Sequence, residues 1–244
     1  RPMSERWQVY KFGGSSLGTS GRLPKVLELV GAAPRPLALV VSALGDSTDW
    51  LILAAKSAAD GNISQARREL AQVRELATAT GRTVLNSQSQ KGLKHDLDDI
   101  LTPVERLLSG VELTRECSAR TLDSIISTGE RISVALLARA LTERDVPGIP
   151  VDARDFVVTD ATFGAATVDK KETAVKFAEV SKAWTGKVPI ITGFIGRTKD
   201  GQTTTLGRNG SDYTATLVAG LLKASAVTVW TDVLGVMTAD PALV

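Results

Sequence analysis

Short apolar runs alternate along this chain with stretches whose apolar residues recur at helical spacing. Gln8 to Phe12 predicts a short strand. Leu37 to Val41, between Pro36 and Ser42, is apolar at every position, as in a strand buried on both faces of a parallel sheet. Val188 to Ile191 and Ala226 to Trp230 follow the same pattern. Ser64 to Asn86 carries Leu70, Val73, Leu76 and Ala77 at helical spacing, and Leu97, Ile100, Leu101, Val104, Leu107 and Leu108 continue that period. Together these two stretches predict a helical hairpin inserted between sheet elements. Glu130 to Leu141 and Ser211 to Leu222 are further helix candidates. Strands separated by helices predict an α/β sheet with right-handed crossovers. Gly193 to Gly210, rich in Gly, Thr and charges, predicts a hairpin and loop around one Thr-rich strand. It is the best candidate for a boundary between lobes.

Composition narrows the functional classes. The 244 residues are 43% hydrophobic and 23% charged, which is ordinary for a soluble globular protein. A net charge of +2, with dispersed basic residues, gives no footprint for nucleic acid. Cys117 is the only cysteine and His95 the only histidine. An internal disulfide framework and a Cys-rich metal site are thereby excluded, and a His-based metal cluster or a Ser-His-Asp triad has little support. Cysteine usage suits a reducing compartment. No apolar run approaches a membrane span, and no signal peptide is visible. The start at Arg1-Pro2-Met3 suggests a processed product or an excised fragment.

Chemistry concentrates in segments that follow strands or open helices, where open α/β sheets bind ligands. Lys11-Phe12-Gly13-Gly14-Ser15-Ser16-Leu17-Gly18 joins a lysine to a glycine-rich turn suited to phosphates. Gly13 and Gly18 have Walker spacing, but Thr19 stands where that pattern needs lysine. A phosphate-transfer enzyme outside the P-loop class fits this better; a plain tight β-to-α turn explains the glycines alone. Ser42 to Asp49 offers Ser42, Thr48 and a helix start to a carboxylate, although each hydroxyl taken singly suits a helix cap. Ser127 to Arg131 places Glu130 at a helix start, to bind an ammonium group or merely to complement the helix dipole. Thr205 to Asp212 supplies Arg208 as a two-pronged carboxylate clamp, Gly210 and Ser211 as backbone donors, and Asp212 to orient Lys11. A glycine-rich turn with a capping Ser or Asp is the plainer reading. Trp230 to Pro241 carries Asp232 and Asp240 around a glycine turn and suits nucleotide hydroxyls or a metal-bound water; a strand followed by two turns is the plainer reading. His95 and Cys117 fit an exposed helical position and a small packing position. The four tryptophans, Trp7, Trp50, Trp184 and Trp230, fit packing at element ends.

The strings KFGGSS, SALGDSTD, STGER, DARDFVVTDATFG, TGFIG, TTTLGRNGSDYTA and VWTDVLGVMTADP, in this order, resemble the catalytic domain of aspartate kinases, in the amino acid kinase superfamily. The resemblance runs from about Val9 to the C-terminus. GRNGSDYTA, with Asn209 between Arg208 and Gly210, is similar to aspartate kinases fused to homoserine dehydrogenase. The resemblance implies a three-layer αβα sandwich around a mostly parallel sheet, C-terminally incomplete. It implies one catalytic domain over residues 7–244, with a lobe of about 7–200 for the amino acid and one of about 201–244 for ATP with Mg2+. The implied reaction moves the γ-phosphoryl group of ATP to the side-chain carboxylate of L-aspartate, the first step toward lysine, threonine and methionine. By the same resemblance Lys11 contacts transferring phosphate oxygens, and Gly13, Gly14 and Ser15 cradle phosphates. Ser42, Thr48, Glu130, Arg208 and Ser211 hold aspartate, Asp212 organises Lys11, and Thr231, Asp232 and Met237 help hold the nucleotide. A homodimer, regulatory ACT domains and a fused homoserine dehydrogenase are the implied partners. The implied compartment is the cytoplasm, or a plastid in a photosynthetic eukaryote.

The chain departs from the family at three places. Met237 stands where an aromatic is usual and Ala242 where an arginine is usual, so altered nucleotide binding is expected. The chain also ends at Val244, before the family's second phosphate-contacting lysine and its ACT domains. A fragment is the preferred expectation, because the motif set is intact up to that point. A second chain supplying the rest, another substrate within the superfamily, and a kinase-like regulatory subunit are the alternatives.

Overall fold

The computed structural model describes residues 6–18 and 21–230. Its centre is a parallel sheet of five strands: β1 (Gln8–Phe12), β2 (Leu37–Val41), β3 (Gly148–Val151), β5 (Val188–Thr192) and β8 (Ala226–Trp230). Their order is β3-β5-β2-β1-β8. A smaller sheet joins β4 (Val158–Thr159), β6 (Ile195–Thr198) and β7 (Thr203–Thr205) in the order β4-β6-β7.

Strand β2 shows why the molecule has three layers. All five of its residues are buried. Successive side chains point to opposite faces. Leu37, Leu39 and Val41 enter one apolar core, Ala38 and Val40 another. The first core is covered by α2 (Arg22–Ala32), α3 (Ser47–Ala59), α4 (Ile63–Val84), α5 (Ser87–Thr114), α6 (Ala119–Ile126) and α7 (Thr128–Thr142). The second lies under α8 (Lys170–Val180) and α9 (Gly210–Leu222), and there the buried Trp184 packs edge-on against Phe156 and Phe177. The expected sandwich with a mostly parallel sheet is the observed one.

The expected helical hairpin is α4 and α5, between β2 and β3. Asn62 and Asn86 cap its two helices, each accepting from the N–H three residues on. The expected hairpin of the Thr-rich segment is present: β6 pairs antiparallel with the Thr-rich β7. The large sheet continues beyond that hairpin, because β8 pairs with β1 along its whole length. His95 is exposed, 3.6 Å from Asp99. Cys117 packs half-buried on the core, where burial pushes its thiol pKa up. The Trp230 ring stacks on Phe12.

Candidate active site

Four of the sequence segments meet at the carboxyl ends of β1, β2 and β5. Lys11 is the penultimate residue of β1, Ser42 follows β2, and Glu130 lies in the first turn of α7. Arg208 to Asp212 form the turn into α9. Lys11, Gly14, Ser42, Thr48, Glu130, Arg208, Ser211 and Asp212 all line one cavity of about 330 Å³. Gly13 adjoins it: a Cβ built there would lie 3.9 Å from Lys11 Nζ. Ser15 is exposed on the short helix α1 (Gly14–Gly18) and does not line the cavity. Thr231, Asp232 and Met237 lie outside the described residues. A larger cavity of about 630 Å³, between α5, α7 and β3, contains none of the expected site residues.

Local packing explains how the groups are held. The segment after β2 is a hub for its neighbours. A Cβ on Gly14 would come within 2.6 Å of the Ala43 carbonyl oxygen, so glycine lets α1 lie directly on this segment. Close packing against protein backbone by itself requires a glycine at this position. A Cβ on Gly129 would stand 2.6 Å from that of Ala43. Its absence brings the start of α7 against the hub and lets the Ala43 N–H donate to Glu130 Oε1 at 3.2 Å. At the opposite wall, Gly207 and Asn209 have positive φ of 75° and 59°. Asparagine is among the few residues with a side chain that enters this region readily, which is why a residue other than glycine is accommodated here.

The electrostatics are unequal across the cavity. Lys11 Nζ lies 2.9 Å from Asp212 Oδ1, with the lysine largely buried and the aspartate half exposed. Glu130 is only 3% exposed. Its Oε2 has no hydrogen-bond partner among the described residues. Burial pushes its pKa up to about 8, against the lowering effect of the backbone N–H groups of Glu130 and Ala43. Arg208 is exposed and makes no hydrogen bond or ion pair among the described residues. The cavity therefore presents a buried carboxyl oxygen in want of a donor, an unengaged guanidinium, and an ammonium held by a carboxylate.

Sequence reasoning gave no role to several participants. Phe194, inside TGFIG, lines the cavity at φ 68°, a strained setting for a bulky residue. Its N–H donates to Thr214 Oγ1 at 3.1 Å and its carbonyl accepts from the Leu206 N–H at 2.8 Å. Ala43 acts through its backbone, which a side-chain pattern does not signal.

Fold and cavity define an αβα protein with a small polar ligand cleft at its strand ends. The chain belongs to the amino acid kinase family, whose model matches residues 6–244. It is 36% identical over 246 residues to aspartokinase 1, chloroplastic, of Arabidopsis thaliana, covering 96% of this chain and 42% of that one. A bifunctional aspartokinase/homoserine dehydrogenase 1, chloroplastic, of Zea mays is 31% identical, with 98% and 26% covered. The solved structure of Escherichia coli aspartokinase III with aspartate and ADP superposes with a TM-score of 0.89 at 31% identity, covering 97% of this chain and 52% of the other. The chain thus spans about half or less of the length of these relatives.

Proposed function

We propose that this chain carries the amino-acid-binding and phosphoryl-transfer centre of an aspartate kinase, which converts L-aspartate and ATP to 4-phospho-L-aspartate and ADP. The observation that carries the reading is the placement of Glu130 and Arg208 on one cavity with the Lys11–Asp212 pair. L-Aspartate has an ammonium, an α-carboxylate and a side-chain carboxylate. The open Glu130 Oε2 suits the first and Arg208 the second, with Ser42, Thr48 and Ser211 as further donors at the cavity wall. The third then faces Lys11.

In the reaction a side-chain carboxylate oxygen attacks the γ-phosphorus, the bond to the β–γ bridging oxygen breaks, and ADP leaves. The nucleophile is already ionised near neutral pH, so no general base is needed. Lys11 neutralises charge on the transferring group, and Asp212 fixes where its ammonium stands. An arriving substrate ammonium lowers the Glu130 pKa, converting a largely protonated acid into an ion pair.

The nucleotide would be ATP, with Gly13, Gly14, Ser15, Thr231, Asp232 and Met237 as its proposed contacts; of these, Gly14 lines the cavity and Ser15 does not. Among the described residues no three His, Cys, Asp or Glu side chains converge as a metal site. Mg2+ would be held chiefly by phosphate oxygens and water, as is usual for this ion, and it would supply charge neutralisation there. We extend the proposal to a homodimer, to associated ACT domains and to a homoserine dehydrogenase partner of the kind the bifunctional relatives are named for. The proposed compartment is a plastid or the bacterial cytoplasm. Among the described residues no helix is long and apolar enough to cross a membrane.

The direct test is ATP consumption with L-aspartate in the presence of hydroxylamine, which traps the acyl phosphate as a hydroxamate. It is run on this chain and on one extended past Val244. Hydroxamate from either, with L-aspartate and not with L-glutamate, supports the reading. A folded, nucleotide-binding protein that yields none from both refutes it.

A further inference from the structure

Asp123 lies on α6, outside the substrate cavity, and only 1% of it is exposed. Its carboxylate accepts three hydrogen bonds from two distant segments. Oδ2 accepts from the Gly164 N–H and the Thr205 N–H, both at 2.9 Å, and Oδ1 accepts from Thr205 Oγ1 at 2.8 Å. No sequence pattern marks it, because one aspartate on an amphipathic helix carries no signal.

The three donors sit where the wall of the cavity is anchored. Thr205 ends β7, three residues before Arg208. Its carbonyl accepts from the Ala166 N–H at 2.9 Å, and the next N–H, of Leu206, donates to the Phe194 carbonyl at 2.8 Å. Gly164 touches the same turn from outside: a Cβ on Gly207 would stand 3.3 Å from the Gly164 carbonyl oxygen. At its other end, α6 runs through Ser127 directly into α7 and Glu130. Asp123 therefore ties the segment that presents Glu130 to the turn that presents Arg208.

Resting on the aspartate reading above, we propose that Asp123 is a positioning residue for substrate recognition, which sets the distance between the ammonium-binding carboxylate and the α-carboxylate-binding arginine. An apolar residue in its place would leave two backbone N–H groups buried and unpaired, and the turn would move to find partners. An asparagine keeps the volume and can present its amide oxygen to the two backbone N–H groups, but its NH2 then faces the Thr205 hydroxyl, which must turn from donor to acceptor, and the charge that strengthens all three hydrogen bonds is lost. Misplacement of about 1 Å can cost about a hundredfold in reaction rate, and loss of the same alignment is expected to weaken L-aspartate recognition as well.

The test measures affinity for L-aspartate and for β-alanine, which keeps the ammonium and side-chain carboxylate but lacks the group Arg208 would clamp. Calorimetric titration of the unaltered chain, Asp123→Asn, Thr205→Val and Thr205→Ser supplies these values, beside thermal unfolding. Asp123→Asn is expected to bind L-aspartate at least about tenfold more weakly, with β-alanine affinity changed far less, so that the preference between the two collapses. Thr205→Val, which loses only the hydroxyl donor, is expected to move in the same direction by a smaller factor, and Thr205→Ser to restore binding. Thr205→Val keeps the test decisive if Asp123→Asn does not fold. An unaltered preference in folded variants, with only the melting temperature lowered, would make Asp123 a purely structural residue and overturn the positioning role alone. Absence of L-aspartate binding by the unaltered chain would overturn both this role and the function it rests on.

Discussion

Glu130→Gln separates the stability of the site from its use. The Glu130 carboxyl titrates at about 8 in the fold, against 4.5 as its ordinary value. Between those limits the folded chain holds a proton that the unfolded chain has released. Stability therefore falls as pH rises through this interval, by about 1.4 kcal/mol per unit from this group. The penalty is absent below the lower value and complete above the upper one. Glutamine keeps the shape, accepts from the Ala43 N–H through its oxygen, and does not titrate. At about pH 7.5 the substitution is expected to stabilise the chain by up to about 4 kcal/mol. That gain should shrink by about 3 kcal/mol at about pH 5.5, or roughly 6–12 °C in melting temperature for a domain of this size. Denaturant unfolding of both proteins across that pH range is the assay. Affinity for L-aspartate in the variant should fall at least about a hundredfold, because a buried ammonium would lose its counter-charge. A stability difference independent of pH, or a variant less stable throughout, would refute the argument that a desolvated carboxyl is kept here for a ligand.

Four further outcomes can be measured. L-Aspartate affinity of the unaltered chain should weaken by up to about tenfold per unit as pH falls below about 8, with proton release on binding measurable in buffers of different ionisation enthalpy. Lys11→Met should lower turnover at least about a hundredfold, since its ammonium acts on the transferring group, and should weaken L-aspartate binding too, because Asp212 is left unneutralised beside the side-chain carboxylate; Arg208→Lys should act chiefly on binding, through loss of the two-pronged clamp. Gly129→Ala, which puts a Cβ 2.6 Å from that of Ala43, should cost about 1–3 kcal/mol in denaturant unfolding and raise the KM for L-aspartate by displacing Glu130.

What the sequence made legible follows from burial. Strands β2 and β5 stand out as apolar runs because every residue in them is buried. Strand β8 has the same apolar look but, against the expectation of a buried strand, none of its residues is buried among the described residues, and β1 is half polar and legible from its neighbours. Strand β3 was not legible, since Gly148 and Pro150 break its pattern and only Val151 is buried. The two-residue β4 was equally silent. Helix α8 buries only Thr173 and Phe177 and is otherwise largely charged, so its period is thin. The site was readable wherever a charged side chain sat beside glycine at a strand or helix end, as with Lys11, Glu130 and Arg208. It was not readable where the backbone does the work, as at Ala43 and Phe194, or where a carboxylate acts from a distance, as at Asp123. The glycine run shows the limit most clearly. A pattern suited to phosphates is also what close packing of α1 on the segment after β2 demands, and Gly14 serves that packing at the edge of the cavity.

The most direct measurement is an experimental structure of the chain with L-aspartate bound. The ammonium is expected against Glu130 Oε2, the α-carboxylate on Arg208, and the side-chain carboxylate turned toward Lys11. L-Aspartate bound with its ends exchanged, or seated in the larger cavity between α5, α7 and β3, would contradict this placement.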